Sequence, residues 1–197
     1  YSPLPWLPEG FVAEVERTVA QPTVDEMGKL GTPFVGLLYC GLIMTAKGFR
    51  VIEFNARFGD PETQVVLRRL TSSLSGLLYK AATGQLETAG EPDFSDDVAI
   101  TVVLASEGYP DTSAPNRPIY GLGAVENQHV EVCHAATAWA ENKDGEEALV
   151  ATGGRVLSVV ASGKDFAGAR AHAYEAIEKI SLQGSHYRKD IAAKVVG

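Results

Sequence analysis

The sequence predicts an α+β fold built on antiparallel sheet, and three observations carry that expectation. Two β-rich runs, PFVGLLYCGLIMT and FRVIEFNAR, are joined by AKG, a short glycine-containing link that marks a hairpin. The apolar period then changes from two to 3.6 at GDPETQ, which opens a helix. Further on, the β-rich runs VAITVVLAS, VEVCHAATAWA and GRVLSVVASG precede one amphipathic helix, the order of a small α+β module.

Taken in chain order, the opening YSPLPWLPEG is proline-rich. It reads as a loop inside a larger domain, so the chain is expected to be a fragment. Phe11, Val12, Val15 and Val19 then have helical spacing. Pro22 is expected to end or kink that helix, because it lacks an N–H and clashes with the preceding turn. A second short helix would carry Val24 and Met27 and stop near Gly31. Strands are expected near 34–45 and 49–56. Asp60 suits an N-cap and Pro61 the first helical position. The helix they open would turn Val66, Leu70, Leu74, Leu77, Leu78 and Ala81 to one apolar face, with Arg68, Arg69 and Ser72 pointing elsewhere. The acidic, turn-rich stretch ETAGEPDFSDD, residues 87–97, is the candidate boundary between two domains. The final helix is expected over about 165–182, burying Phe166, Ala169, Ala173, Ile177 and Ile180.

Composition narrows the function. With 197 residues, 45% of them hydrophobic and 21% charged, the chain is ordinary globular protein with room for a real core. A formal net charge of -8 argues against nucleic acid as the partner, since phosphate backbones reward clustered Lys and Arg. No apolar run reaches the roughly 18 residues of a membrane helix. The first residues lack the basic and apolar regions of a secretory leader, so a cytoplasmic setting is expected. Cys40 and Cys133 lie far apart without a CxxC, which suits two free thiols rather than a disulfide or a zinc site. His129 and His134 show no ligand spacing and are expected to be structural or exposed.

The chemistry concentrates in VIEFNARFGDPETQ, residues 51–64. On a strand, alternate residues share a face about 6.5–7 Å apart. Glu53, Asn55 and Arg57 would therefore line one face, and Ile52, Phe54 and Ala56 would turn the other way, toward a core. One carboxylate and one amide oxygen can converge on a hard cation such as Mg²⁺, which leaves its other positions to water and phosphate. Arg57 could then clamp anionic oxygens. The same alternation is also what a half-exposed strand with a Glu53–Arg57 surface pair would show, and spacing leaves both readings open. Asp60 and Glu62 suit a helix start for electrostatic reasons alone. In TGGRVL, the glycines before Arg155 could cradle a phosphate or form a plain tight turn. In SHYRKDI, Arg188 and Lys189 could meet a ribose phosphate or belong to a solvated charged loop.

The string GLLYCGLIMTAKGFRVIEFNARFGDPETQ, with YSP upstream and GYP, TGGRVL and RKDI downstream, closely resembles the phosphoribosylamine–glycine ligase (glycinamide ribonucleotide synthetase) family of ATP-grasp enzymes. The resemblance covers essentially the whole chain. It implies an ATP-dependent ligation of glycine to 5-phosphoribosylamine, giving glycinamide ribonucleotide, ADP and phosphate through a glycyl phosphate, in purine biosynthesis. It implies Mg²⁺ or Mn²⁺ held by Glu53 and Asn55, with Arg57 facing the transferred phosphoryl group. Asp60, Pro61, Glu62, Arg155, Arg188 and Lys189 are the expected substrate-binding positions. Many ATP-grasp enzymes carry a further acidic metal ligand about where Tyr39 falls, so the number of metal ions stays open. Family members also have an N-terminal domain and a first ATP-grasp half with a glycine-rich loop. On this reading residues 1–88 are the second ATP-grasp half and 89–197 the C-terminal domain, whose partner is the missing N-terminal part. The isolated chain is then expected to be inactive. Two alternatives remain: a catalytically silent interaction module, against which intact Glu53, Asn55 and Arg57 argue, and a ligase for another acid and amine, against which NARFGDPET argues.

Overall fold

The computed structural model describes residues 1–141, 145 and 147–196. They form two compact units, one from Leu4–Asp60 and Leu70–Asp93, the other from Tyr1–Pro3, Pro61–Arg69 and Phe94–Gly197. All strand pairs are antiparallel.

The first unit opens with helix α1 (Phe11–Val15), which runs through a π-helical segment, Glu16–Ala20, into α2 (Gln21–Lys29). Pro22 was expected to end or kink the helix, yet the helical path continues through it. The wider turn immediately before Pro22 loosens the hydrogen-bond ladder where a proline cannot donate. Thr23 Oγ1 donates to Val19 O at 2.7 Å, giving that carbonyl a partner. Strands β1 (Tyr39–Thr45) and β2 (Gly48–Asn55) make the expected hairpin, closed by Ala46 and Lys47. Residues 34–38, expected to extend the first strand, lie outside it. Phe11 reaches the hairpin edge-on, its ring centroid 5.4 Å from that of Phe49.

Ile52, Phe54 and Ala56 were expected to face a core, and this is corrected: all three are exposed, Ile52 by 63%. Among the described residues the sheet has only two strands, and the side chains of Ile52 and Phe54 stay exposed on it. Ile52 is also the extra residue of a bulge, since Gly41 pairs with Glu53 but Leu42 with Val51.

The expected single helix after GDP is two. Helix α3 (Glu62–Arg69) belongs to the second unit and α4 (Leu74–Ala82) to the first. The serines explain the break. Ser73 Oγ caps α4 by accepting from Gly76 N at 3.1 Å, and Ser72 Oγ accepts from Asp93 N at 2.7 Å. The foreseen apolar face is divided with it: Leu70, Leu74, Leu77 and Ala81 are half-buried, Val66 and Leu78 are exposed, and Val65 is the residue α3 buries.

The second unit holds the core. Strands β3 (Val98–Ala105), β5 (Val130–His134) and β8 (Arg155–Gly163) form a sheet in the order β3-β8-β5. Helix α5 (Phe166–Ile177) packs on β8 and β3, burying Ala169, Ala173 and Ile177 against Ile100, Val102, Leu157 and Val159. Its N-cap is Asp165, which accepts from Gly168 N at 2.7 Å. The run VEVCHAATAWA was expected as one strand but divides. Its second half, β6 (Thr137–Glu141), joins β4 (Arg117–Pro118) and β7 (Glu147–Ala151) in a sheet ordered β4-β7-β6. The chain turns at Ala135 and Ala136, whose N–H groups donate to Val156 O and Arg155 O. No helix among the described residues is long and apolar enough to cross a membrane.

Candidate functional site

Strand β2 ends at Asn55, so the alternation places Glu53 and Asn55 on one face but does not extend to Arg57. Asn55 Nδ2 donates to Glu53 Oε1 at 3.0 Å, which puts the two polar heads together. Room for the glutamate comes from Gly41 on the facing strand. A Cβ there would lie 3.0 Å from Glu53 Cγ and 3.4 Å from Glu53 O, tighter than the side chain accommodates without shifting. Arg57 sits in the bend beyond the strand, exposed, with Nη1 donating to Phe58 O at 3.0 Å. That bond ties the guanidinium to the chain reversal instead of to Glu53.

The donor set fits a hard divalent cation. The Glu53 carboxylate lies against the Asn55 amide on one strand face, and a half-turn of that amide would bring Oδ1 to the same side in place of the nitrogen. Among the described residues no three His, Cys, Asp or Glu side chains gather where they could hold a metal. A cation at Glu53 and Asn55 would take its remaining ligands from water and phosphate, which is how Mg²⁺ is usually held.

Helix α3 is assigned from Glu62, one residue later than expected. Pro61 therefore occupies the position before the helix and Asp60 lies one step further out, a shift within the usual fraying of helix ends. Asp60 is exposed, while Pro61 and Glu62 are half-buried.

Three of the sequence motifs meet at the end of β3. Ala105 pairs with Arg155 of β8 on one side, and on the other exchanges two backbone hydrogen bonds with His186, at 2.8 and 3.0 Å. Ser106 N donates to Gly154 O at 2.8 Å. A Cβ on Gly154 would lie 2.7 Å from Cδ2 of Tyr109, so the glycine admits the ring of GYP against TGGR. Arg155 itself is exposed. Arg188 is committed to Asp190, with Nε–Oδ1 at 2.9 Å and Nη2–Oδ2 at 2.7 Å. That hydrogen bond holds the Asp190 carboxyl below its ordinary range. Lys189 is exposed, and its carbonyl accepts from Arg170.

Some ordered polar residues carried no sequence signal. Buried Ser106 receives Nη2 of Arg117 at 2.6 Å, and the same guanidinium reaches Glu107, Ala114 O and Gln183 O. Only the pairing of an arginine with acceptors 3 to 66 residues away reveals it, and no local pattern does. Neither Cys40 nor Cys133 is disulfide-bonded among the described residues; both are half-buried, and burial pushes the Cys40 thiol up. His129 stacks on His172 with centroids 4.7 Å apart, and His134 Nδ1 lies 3.1 Å from Thr137 Oγ1.

The hairpin that carries Glu53 and Asn55 is followed along the chain by an antiparallel sheet module, and the mixed α/β fold with antiparallel sheets is that of an ATP-grasp ligase. Residues 1–63 match the model for the Phosphoribosylglycinamide synthetase, ATP-grasp (A) domain, and residues 99–194 the model for its C domain. The chain is 60% identical to a phosphoribosylamine–glycine ligase of Leifsonia xyli over 98% of its own length and 46% of that protein. It is 55% identical to that of Streptomyces coelicolor over 100% of its length and 47% of that protein. The crystal structure of the Thermotoga maritima phosphoribosylamine–glycine ligase superposes with a TM-score of 0.80 at 29% identity, covering 96% of this chain and 44% of that one. A single-chain long-chain acyl-CoA carboxylase shares the fold at 16% identity and a TM-score of 0.57. The chain belongs to the phosphoribosylamine–glycine ligase family, and it spans a little under half the length of the relatives it matches.

Proposed function

We propose that this chain is the C-terminal part of a ligase that joins glycine to 5-phosphoribosylamine at the expense of ATP in purine biosynthesis, in the cytoplasm. In this reading residues 1–88 complete an ATP-grasp domain and residues 89–197 form the C-terminal domain. The N-terminal remainder of the same enzyme is the partner, and the exposed apolar hairpin residues Ile43, Val51, Ile52 and Phe54 are a natural surface for it.

The observation that carries the reading is the contact between Glu53 and Asn55, two residues before Arg57, inside the segment matched to an ATP-grasp domain. A Mg²⁺ or Mn²⁺ ion held by Glu53 and Asn55 would supply charge neutralisation for the ATP phosphates. Arg57 contributes a fixed positive charge beside the γ-phosphoryl group. A glycine carboxylate oxygen bonds to the γ-phosphorus as the bond to the ADP oxygen breaks. The phosphoribosylamine nitrogen then bonds to the glycyl carbon, phosphate leaves with that carboxylate oxygen, and the amine loses a proton. Asp60 and Glu62 hold the attacking amine or glycine's ammonium group by charge. Pro61 stiffens the turn that presents them, and Arg155 and Lys189 supply positive charge for the ribose phosphate, Arg188 being paired with Asp190.

The test is ADP release by the full-length enzyme, measured with glycine and phosphoribosylamine together and singly. Turnover should require both. Arg57→Met should lower kcat by on the order of 10²–10³, as loss of one charge-stabilising group in a closed site does. Glu53→Gln should weaken the dependence of rate on metal concentration while leaving the thermal midpoint in place. Unchanged metal dependence in folded Glu53→Gln and Asn55→Ala variants would remove both residues from the metal site.

A further inference from the structure

The chain passes between the two units after Pro3, Asp60, Arg69 and Asp93. Arg69 gathers three of those passages. Its Nε donates to Asp97 O at 2.8 Å, Nη2 to Ser95 O at 3.0 Å and Nη1 to Ser2 Oγ at 3.0 Å. Ser95 N returns a bond to Arg69 O at 2.7 Å, and Ser2 exchanges backbone bonds with Ala99 at 2.9 and 2.8 Å. Arg68 points elsewhere, as neighbours about 100° apart on a helix must. Its Nη2 donates to Gln128 O at 2.7 Å, Nε and Nη2 reach Ser162 Oγ at 3.4 and 3.3 Å, and Nη1 meets Glu131 at 3.5 Å. Both guanidiniums are thus engaged with the protein, which suits anchoring better than ligand binding. What they anchor is α3, a helix whose first turn, roughly 10 Å away by helical rise, carries Glu62 and receives the chain from Asp60.

We propose that Arg68 and Arg69 are positioning residues: they fix α3 to the C-terminal sheet and thereby set where Asp60–Glu62 meets the amine substrates. The proposal rests on the ligase reading above. Arginine suits the task because its planar fork can serve acceptors on separate segments, whereas a lysine serves a point.

The experiment is steady-state kinetics on the full-length enzyme carrying Arg68→Met, Arg69→Met or Arg69→Lys, with thermal midpoints measured alongside. Ile177→Ala serves as a control that weakens the same unit from its buried α5 side. The methionine variants should raise KM for glycine or phosphoribosylamine by about tenfold or more, as a small misplacement of binding groups does. Arg69→Lys should recover part of the loss. Ile177→Ala should lower the midpoint at unchanged KM. Folded methionine variants with wild-type KM for both substrates would overturn the proposal. Should they fail to fold, the double variant Ser2→Ala, Ser162→Ala removes acceptors while leaving both arginines, and it must raise the same KM or the proposal falls. Absence of any glycine-dependent turnover in the wild type would instead sink the ligase reading itself.

Discussion

Asp60 shows how one carboxylate can be asked for two jobs. It lies just outside the start of α3, where a negative charge is favoured by the helix dipole to the extent of about 0.3–1 kcal/mol. It is also a proposed ligand for an ammonium group, and a charge-assisted hydrogen bond contributes about 1.5–3 kcal/mol. Asp60→Asn separates the two, because asparagine keeps the shape and local hydrogen bonding but loses the charge. The full-length variant should unfold within a few degrees of wild type and show KM for one amine substrate raised roughly tenfold, the factor that about 1.4 kcal/mol produces. Wild-type KM for glycine and phosphoribosylamine would leave Asp60 as a helix-end charge only. The Glu53–Asn55 meeting followed from strand alternation, which fixes side-chain facing two residues apart. The place of Arg57 did not follow, because the strand stops at Asn55 and periodicity has no authority in the bend beyond it.

At the scale of elements, Gly154 is a packing device. Its missing side chain lets Tyr109 lie against the start of β8, so Gly154→Ala should cost about 1–3 kcal/mol by overpacking, read from chemical denaturation. In a Tyr109→Ala background the same change should cost almost nothing, and an undiminished cost there would disprove the contact. The C-terminal strap offers a pH test. Arg188's hydrogen bond depresses the Asp190 carboxyl, so the pair supports the folded strap above the ordinary carboxylate pKa of about 4. That support fades as pH falls through the lowered value. Tyr174 Oη accepts from Ile191 N at 3.2 Å, so protection of the Ile191 amide, taken relative to its intrinsic exchange rate, should fall below about pH 4 in wild type, and Asp190→Asn should remove that fall. Strands β3 and β8 and helix α5 were readable in advance because their apolar periods run unbroken and their ends carry turn or cap residues. The break between α3 and α4 was not, because it depends on Asp93, a partner distant in sequence, bonding to Ser72. The division of VEVCHAATAWA was hidden for the same reason, since Arg155 and Val156 turn the chain from outside the run.

Over the whole molecule, burial is uneven in a way that matches a part of a larger enzyme. The second unit closes its core around Ile100, Leu104, Val159 and Ile177. The first keeps a two-stranded sheet with Ile43, Ile52 and Phe54 exposed, and such hairpins are marginal without a covering layer. In the proposed reading, a formal net charge of -8 leaves anionic substrates to a few placed cations, with Arg57 as the proposed one at the phosphoryl group. In the proposed reaction, phosphoryl transfer passes through glycine's carboxylate. That route is tested most directly by supplying the full-length enzyme with glycine labelled with ¹⁸O in both carboxylate oxygens, together with ATP and phosphoribosylamine, and weighing the phosphate released. One ¹⁸O atom is expected in each phosphate, carried over when the glycyl phosphate bond to carbon breaks, whereas unlabelled phosphate formed in step with glycinamide ribonucleotide would rule that route out.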